Sequence, residues 1–249
     1  MSPLKNLDEV RRLEALAFRG WPALESRDVQ GWHLRFSGGY TKRANSISAL
    51  GDKISTDVET VEAAFRERGR TPVWRLTPLA PAGMSDLLKA RGYAPIERSL
   101  LQRCPLHEGF RPDSAVGISL SPSPAWIEAF AAHSPVRPEH RETMQRMLQA
   151  IAQPAGFAFV QHEGRPMAMA IGAVEGDHMG LFDVLVMPEA RRQGLARRIT
   201  ESLYAWAWER GARFAYLQVV ATNAAAMPLY AAQGFRTVYE YEYLIPPTS

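Results

Sequence analysis

Apolar and polar positions follow one another along the chain with two different periods, and each period predicts one kind of secondary structure. In residues 195–206 the apolar side chains lie three or four positions apart, which predicts a helix that ends at Gly211. In residues 32–36 apolar and polar side chains alternate, as in a strand with one buried face. Nine strands are predicted, at 32–36, 41–50, 72–76, 94–102, 156–162, 166–174, 181–187, 214–220 and 238–245. They alternate with helical segments, which predicts an α/β fold, an α+β arrangement with a mixed sheet.

One pattern occurs twice. Glu-Arg-Gly at 67–69 and again at 209–211 is followed by a strand, a helix and a second glycine with an aromatic residue after it. The glycine spacing is 92 − 69 = 23 in the first copy and 234 − 211 = 23 in the second. A glycine after each helix supplies the left-handed cap that ends it. Helix–glycine–strand units are common, so chance is the alternative, but the matched spacing favours an internal duplication.

A break in the hydrophobic pattern divides the copies. Pro105, Gly109 and Pro112 interrupt the chain between a predicted strand and the next predicted helix. We therefore predict two domains of similar fold, 1–108 and 109–249, called the N-terminal half and the C-terminal half below.

Composition narrows the class of protein. Hydrophobic residues make up 46% and charged residues 22% of the chain, the mixture of a packed globular protein. A net charge of +3 is too small to indicate nucleic-acid binding. The sequence has neither a signal-peptide-like N-terminus nor an apolar run of about 18 residues, so no membrane association is expected. The single cysteine, Cys104, cannot form an internal disulfide, and a cytoplasmic location is predicted.

The stretch 184–198 combines a strand, a proline turn and a helix start rich in arginine. The first turn of a helix has unpaired N–H groups and partial positive charge. Gly194 removes a side chain that would hinder a ligand, and Ala196 is small, so main-chain amides can approach a phosphate. We interpret this segment as an anion-binding cradle; a solvated basic helix start is the alternative. It is neither a Walker loop nor a Rossmann fingerprint.

Two motifs in this half resemble those of the GNAT superfamily of N-acetyltransferases. The run V-x-V-x-P-x-x-R-R-x-G-L-A is similar to the acyl-CoA-binding motif, whose core Q/R-x-x-G-x-G/A is matched by Arg191, Gly194 and Ala196. The run 223–235 resembles the second motif, N-x-x-A-x-x-L-Y-x-x-x-G-F. The resemblance covers roughly residues 113–249. Together with the internal repeat, it implies two GNAT-like acyl-CoA N-acyltransferase domains in tandem.

The resemblance implies a site for acetyl-CoA as cosubstrate. Its pantetheine arm would lie between strands that separate at Val184–Val186 and Phe214–Val220, and its pyrophosphate on the amides of 192–197. Asn223 would hydrogen-bond the arm, and Tyr230 would protonate the departing thiolate. Helix capping by Asn223 and core packing by Tyr230 are the alternatives. The implied cofactor-binding residues are Val184, Leu185, Val186, Arg191, Arg192, Gln193, Gly194, Leu195, Ala196, Arg197, Asn223 and Tyr230.

No residue is an obvious general base. Some family members have a glutamate early in the corresponding strand, where this sequence reads His178–Asp183. Gly180, in this region, cannot act as a general base. Asp183 and His178 are candidates, Asp183 being equally compatible with a structural role. A chain of water molecules that removes the proton from a partly neutral amine is a further alternative. No histidines or carboxylates have metal-ligand spacing, so no metal is expected.

The N-terminal half lacks the residues that are implied to bind acetyl-CoA in the C-terminal half. Shifting by 234 − 92 = 142 positions sets Asn223 against Pro81, Tyr230 against Leu88, Arg191 against Ala49 and Gly194 against Asp52. A carboxylate at the pyrophosphate position argues against acyl-CoA binding, so this half resembles a degenerate copy. Its segment 38–45 is a candidate border of the acceptor pocket, with a polar turn as the alternative. Trp126 and Phe130 are a second candidate border, with core packing as the alternative.

The leading hypothesis is therefore an enzyme that moves the acetyl group of acetyl-CoA directly to a primary amine of a small molecule or peptide. The alternative is a non-catalytic acyl-CoA-binding regulatory module. A nucleic-acid partner is disfavoured by the low charge. The chain is expected to be a monomer or a homodimer, and the acceptor is not determined by the sequence.

Overall fold

Eleven strands join into one mixed sheet in the part of the protein that the computed structural model describes, residues 6–151 and 154–247. They are β1 (Glu25–Val29), β2 (Trp32–Phe36), β3 (Ile47–Ala49), β4 (Trp74–Leu76), β5 (Ala94–Pro105), β6 (Gly117–Ser119), β7 (Ala155–His162), β8 (Arg165–Glu175), β9 (His178–Val186), β10 (Phe214–Val220) and β11 (Arg236–Ile245). Their order across the sheet is β1-β2-β3-β4-β11-β5-β10-β9-β8-β7-β6. The pairs β3–β4 and β9–β10 are parallel and the other neighbours antiparallel, which confirms the mixed α/β fold.

Helices cover both faces of this sheet. Within the described residues the α-helices are α1 (Leu7–Gly20), α2 (Val58–Arg66), α3 (Met84–Ala90), α4 (Pro124–His133), α5 (Arg141–Gln149), α6 (Leu195–Trp208) and α7 (Ala226–Ala232). Gly20 of α1 lies against Phe182 of β9, whereas Leu203 of α6 and Met179 of β9 lie together against Gly172 of β8. Positions 179 and 182 point to opposite faces of a strand, so α1 and α6 lie on opposite sides.

The two halves exchange their last strands. β5, from the N-terminal half, lies between β10 and β11 and pairs antiparallel with both. β11, from the C-terminal half, lies between β4 and β5. At Ser99 the backbone faces Val220 on one side and Tyr241 on the other. One sheet therefore runs without interruption through the predicted boundary, and the division into 1–108 and 109–249 stays a prediction.

The internal repeat has a counterpart in the positions of the elements. Helices α3 and α7 both have seven residues and start at 84 and 226, which are 226 − 84 = 142 positions apart. Gly92 and Gly234, which follow them, share a left-handed φ of 86°. The preceding helices follow this offset only at their ends, since α2 and α6 end 208 − 66 = 142 positions apart. Their starts do not, because α6 has 14 residues and α2 has nine. The residue before α2 is Asp57, so Asp57, and not Asp52, corresponds to Gly194.

Three sequence-based predictions about strands were wrong. β1 and β6 were missed; they are the two edges of the sheet and are largely exposed, so they have no apolar alternation. The predicted strand 41–50 begins instead as a 3-10 helix at Lys42–Ala44, and only Ile47–Ala49 is a strand. Asn45 closes this loop: its side-chain oxygen accepts from the N–H groups of Ser37 and Gly39, and its amide donates to the carbonyls of Tyr40 and Thr41.

A buried ion pair connects helix α1 with strands β4 and β11 of the sheet. Glu14 of α1 and Arg75 of β4 are paired with almost no exposure of either side chain. The hydroxyl of Tyr239 on β11 donates to the same carboxylate, and the Arg75 guanidinium lies 3.9 Å from the centre of the Tyr241 ring. The exchanged strand β11 is thereby fixed to the N-terminal half by polar contacts as well as by main-chain pairing.

The sequence predicts neither a membrane-spanning helix nor a metal site. A membrane-spanning helix would have to be longer and more apolar than any helix in residues 6–151 and 154–247. In those same ranges no three His, Cys, Asp or Glu side chains converge as a metal site would require.

Cys104 is buried in β5, and burial raises the pKa of its thiol to about 12, so it lacks the character of a nucleophile.

Candidate functional site

The parallel strands β9 and β10 pair along only part of their length. Their register runs from His178 and Phe214 to Leu181 and Leu217, and no further pairs follow. At this point β9 contains a bulge, because two of its residues, Asp183 and Val184, face one residue of β8. Asp183 has a left-handed φ of 48°, which a non-glycine residue rarely adopts. The bulge turns β9 away from the regular ladder where the two strands separate.

A cavity of about 750 Å³ lies at this separation. Val184 lines it from β9, residues 217–220 from β10, and Asn223 and Tyr230 from the segment that follows β10. The opposite wall belongs to the N-terminal half, through residues 39–43 of the loop closed by Asn45 and through β5. The segment 38–45, predicted as a candidate border, thus contributes directly to the cavity.

The two aromatic candidates on α4 have different positions. Phe130 reaches the cavity wall. Trp126 does not: it is buried in the core, and its indole N–H donates to the carbonyl of Ala158 at 3.0 Å. Trp126 therefore has a packing role.

Tyr230 combines packing with a polar atom at the cavity. Its ring lies 5.6 Å from that of Phe235, and the residue is buried. Among the described residues no protein group forms a hydrogen bond with its hydroxyl. Burial, followed by the negative charge of Asp183, raises its pKa to about 12. The phenol is therefore protonated at neutral pH and has a proton to donate.

Asn223 lies two residues before Ala225, the N-cap of α7, and makes a capping-type hydrogen bond to the first residue of that helix. Its side-chain oxygen accepts from the N–H of Ala226 at 3.0 Å, and its carbonyl accepts from Met227 at 3.1 Å. The capping alternative considered from the sequence is therefore seen in the structure. The side-chain nitrogen takes no part in the cap, and Asn223 also lines the cavity, so an amide donor remains for a ligand.

Gly194 is the N-cap of α6 and lies before, not within, the first helical turn. Its φ is 74°, and a Cβ atom built on it would meet nothing within 4 Å. The first helical hydrogen bond runs from Arg198 to the Gly194 carbonyl at 3.1 Å, so the N–H groups of Leu195, Ala196 and Arg197 precede the ladder. This open helix end has the chemistry of a phosphate site and fits the pyrophosphate of an acyl-CoA.

The arginines around this helix end differ in how much charge they can offer. Arg198 pairs with Asp113 at 2.6 Å, and Arg197 with Glu201 at 2.7 Å. Arg191 donates only to the carbonyl of Val186, at 3.4 Å, and Arg192 has no hydrogen-bond or ion-pair partner among the described residues. Arg191, Arg192, Gln193 and Gly194 are exposed. Two of the four arginines are thus paired, and the positive charge comes from Arg191, Arg192 and the helix end.

The two candidate bases lie five residues apart on β9: His178 is its first residue, and Asp183 lies in its bulge. His178 does not line the cavity; its Nδ1 contacts Asp177 at 2.7 Å, its ring stacks on Phe214, and its Nε2 is buried without a partner. Burial lowers the pKa of His178. At Gly180 a Cβ would lie 2.5 Å from Phe182, so no glutamate fits there.

Asp183 lines the cavity and forms an ion pair that sequence reasoning missed. Arg43 of the N-terminal half donates to Asp183 Oδ1 at 3.1 Å, and Asp183 Oδ2 is buried without a partner. Lys42, next to Arg43, pairs with Glu97 of β5 at 2.7 Å on the same wall. No sequence signal links Arg43 to Asp183, because 140 positions separate them.

Comparison with known sequences adds relatives along the whole chain. The sequence profile of the family described as "Probable histone acetyltransferase Rv0428c C-terminal" matches residues 8–244. The "Uncharacterized N-acetyltransferase YobR" of Bacillus subtilis (strain 168) is 26% identical, over 96% of this chain and 99% of that protein. The ribosomal protein bS18-alanine N-acetyltransferase of Escherichia coli (strain K12) is 42% identical over 72 residues, which are 29% of this chain and 49% of that protein.

Solved structures resemble the fold over nearly its full length. A "GCN5-related N-acetyltransferase from Kribbella flavida" has a TM-score of 0.69, covers 96% of both chains and is 18% identical. A "Tandem GNAT protein from the clavulanic acid biosynthesis pathway" has a TM-score of 0.62, covers 95% of this chain and 89% of that one, and is 13% identical. At these identities the likeness concerns the fold alone.

Proposed function

Since this chain belongs to the Rv0428c C-terminal acetyltransferase family and is a GNAT N-acetyltransferase, we propose that it transfers the acetyl group of acetyl-CoA directly to a primary amine bound in the cavity. GNAT enzymes generally use acetyl-CoA. The separation of β9 from β10 beyond Leu181 and Leu217, which opens a cavity onto the Tyr230 hydroxyl, is the observation that carries this proposal.

The residues that would hold acetyl-CoA come from three segments. Val184, Leu185 and Val186 offer the pantetheine arm the side of β9 that β10 no longer pairs, and Asn223 offers its side-chain amide. The N-cap of α6 would take the pyrophosphate. The contributing residues there are Arg191, Arg192, Gln193, Gly194, Leu195, Ala196 and Arg197.

Bound acetyl-CoA would supply a thioester carbonyl that an amine can attack, so that a C–N bond forms and the C–S bond breaks. The main-chain N–H of Val184 or Val186 stabilises negative charge on the carbonyl oxygen. Tyr230, protonated because of its raised pKa of about 12, donates its proton to the departing sulfur. The deprotonated phenol then recovers its proton from water.

Removal of the proton from the amine involves Asp183 and water. One oxygen of Asp183 already accepts from Arg43 at 3.1 Å, and the other is buried. We assign to Asp183 the attraction of the acceptor's ammonium group into the cavity. Water takes the proton, and the neutral amine attacks. His178, distant from the cavity, has no part in this scheme.

The acceptor is an amine of a small molecule or a peptide. The cavity wall bears charges of both signs, as the pairs Lys42–Glu97 and Arg43–Asp183, so it can receive a polar molecule with more than one charge. The description of the family refers to histones as substrates, and the name of one relative refers to ribosomal protein bS18. Protein amino groups are therefore the first acceptors to test.

The proposal is tested by calorimetric titration with acetyl-CoA of the wild type, Tyr230→Phe, Gly194→Glu and Gly194→Asn. We expect micromolar binding to the wild type and Tyr230→Phe, and none to Gly194→Glu, whose carboxylate would repel the pyrophosphate. Gly194→Asn is the matched control, because asparagine tolerates a left-handed backbone and is neutral. Absence of binding to the wild type would contradict the proposal.

Thiol release is then measured with lysine-rich peptides, peptides with a free N-terminus, amino acids and polyamines as acceptors. Release with one of these classes, reduced in Tyr230→Phe, supports an enzyme acting on that class. Binding without release for any acceptor would favour the regulatory alternative, an acyl-CoA-binding module. The relatives named as N-acetyltransferases favour the enzyme.

A further inference from the structure

The bulge of β9 has an unusual backbone that needs support from its surroundings. Asp183 has a left-handed φ of 48°, and a non-glycine residue keeps such a backbone where surrounding contacts hold it. β8 supports only one side of the bulge, since β10 is no longer paired at this level. The remaining support comes from the side chain of Asp183, which contacts the N-terminal half.

Arg43 is held in a slot that suits a planar cation. Its guanidinium carbon lies 5.0 Å from the centre of the Trp21 ring and 5.9 Å from that of Phe182. From this slot it donates to Asp183 Oδ1 at 3.1 Å. Phe182 precedes Asp183 in β9, so Arg43 contacts two consecutive residues at the start of the bulge. A lysine would keep the charge but not the planar stacking.

The loop that presents Arg43 is itself fixed. Arg35, a buried residue of β2, donates to the main-chain carbonyl of Arg43 at 2.5 Å and also to the carbonyl of Phe18. Asn45 closes the loop on its other side by four hydrogen bonds. The Arg43 guanidinium therefore has a defined position relative to the core of the N-terminal half.

We propose that Arg43 is a positioning residue for acetyl transfer: through Asp183 it holds the β9 bulge, so that the N-terminal half completes the site of the C-terminal half. Arg43 acts through Asp183 and need not touch the reacting atoms. Val184, the next residue, lines the cavity and is the first residue assigned to acetyl-CoA. This proposal rests on the proposed function for its effect on transfer, but not for its effect on the bulge.

The consequence concerns rate more than affinity. The open helix end at Gly194 lies eleven residues after Asp183, in another element, and does not depend on Arg43. A displacement of about 1 Å at the reacting groups can lower a rate about 100-fold while the remote contacts that hold the ligand persist. Loss of Arg43 should therefore lower turnover strongly and acetyl-CoA affinity weakly.

The test compares Arg43→Ala and Arg43→Lys with the control Arg103→Ala. Arg103 also joins a carboxylate, Glu9 at 2.6 Å, and an aromatic ring, Phe214 at 4.8 Å, but does not line the cavity. Each variant is measured for acetyl-CoA affinity, for thiol release from acetyl-CoA with water or an identified amine as acceptor, and for amide hydrogen exchange in residues 182–186. Methylguanidinium is added to Arg43→Ala at a non-denaturing concentration to refill the slot.

We expect Arg43→Ala to lose about 100-fold in thiol release and less than about tenfold in affinity, with partial recovery by methylguanidinium and by lysine. Exchange in 182–186 should be faster in Arg43→Ala and unchanged in Arg103→Ala. Turnover within twofold of the wild type would overturn the proposal, as would an equal loss in Arg103→Ala without recovery by methylguanidinium. A wild type that binds no acetyl-CoA would instead refute the proposed function, while the exchange data still decide whether Arg43 holds the bulge.

Discussion

Asp57 and Gly194 precede corresponding helices in the two halves, but only Asp57 has a side chain that caps its helix. Asp57 Oδ1 accepts from the N–H of Thr60 at 3.2 Å, so the chain's own carboxylate occupies the start of α2. Gly194 offers no side chain, and the start of α6 stays open to an anion. A phosphate would meet negative charge at the first site and free N–H groups at the second.

We therefore predict one acetyl-CoA per chain, bound in the C-terminal half. Asp57→Ala should lower the melting temperature by roughly 2–4 °C through loss of the cap, while calorimetry still gives one binding site. Gly194→Glu should abolish that single site. A second equivalent of acetyl-CoA, in either the wild type or Asp57→Ala, would contradict this assignment.

Tyr230→Phe should separate binding from chemistry. Removal of the proton donor is expected to lower kcat about 100-fold and to leave acetyl-CoA affinity nearly unchanged, because the ring still packs on Phe235. Tyr204→Phe is the matched control: its buried hydroxyl bonds Gln233 at 3.0 Å, away from the cavity. Equal loss of kcat in both variants would indicate a packing effect.

The pH profile provides an independent check on Tyr230. Because its pKa is raised to about 12, the phenol stays protonated well above neutral pH and can donate throughout this range. The rate should rise with pH as the acceptor amine loses its proton, and no fall from Tyr230 ionisation should occur below a pH of about 10. A descending limb near neutral pH that Tyr230→Phe removes would show that the phenol titrates there.

His178 should make the folded state sensitive to acid. Burial lowers its pKa below the ordinary value of 6.5, although Asp177 opposes this shift. Above a pH of about 6.5 the residue is neutral in both states; as the pH falls, the unfolded state takes up the proton first, and stability is lost. When the pH is lowered from about 7.5 to about 5.5, we expect the melting temperature of His178→Phe to fall by less than that of the wild type. The exposed His133→Gln serves as control and should retain the full decrease.

The buried pair of Glu14 and Arg75 should stabilise the strand exchange. Arg75→Met is expected to lower the free energy of unfolding by about 3–5 kcal/mol, because Glu14 would remain as a buried charge without a cation. The double variant Glu14→Gln, Arg75→Met should regain much of this loss, since a neutral amide can still accept from Tyr239. Denaturant unfolding measures both; a double variant as unstable as the single one would contradict this explanation.

The sequence by itself determined the family and the local equipment of the site. Gly194 with Ala196, and Asn223 with Tyr230, belong to motifs of fewer than 15 residues. Helix caps, left-handed glycines and the spacing of side chains on one helix depend on neighbouring residues, so such signals can be read along the chain. The duplicated glycine spacing belongs to this class too, and it recovered the matched helices α3 and α7.

Only the tertiary structure decided which distant residues meet. Asp183 and His178 lie on one strand and were equal candidates, but the separation of β9 from β10 leaves only Asp183 at the cavity. The Arg43–Asp183 pair and the pairing of β5 with β11 join residues that are at least 236 − 103 = 133 positions apart. Strand partners and ion pairs at such separations are selected by the packing of the whole chain, because a strand's own pattern specifies its buried face but not its neighbour.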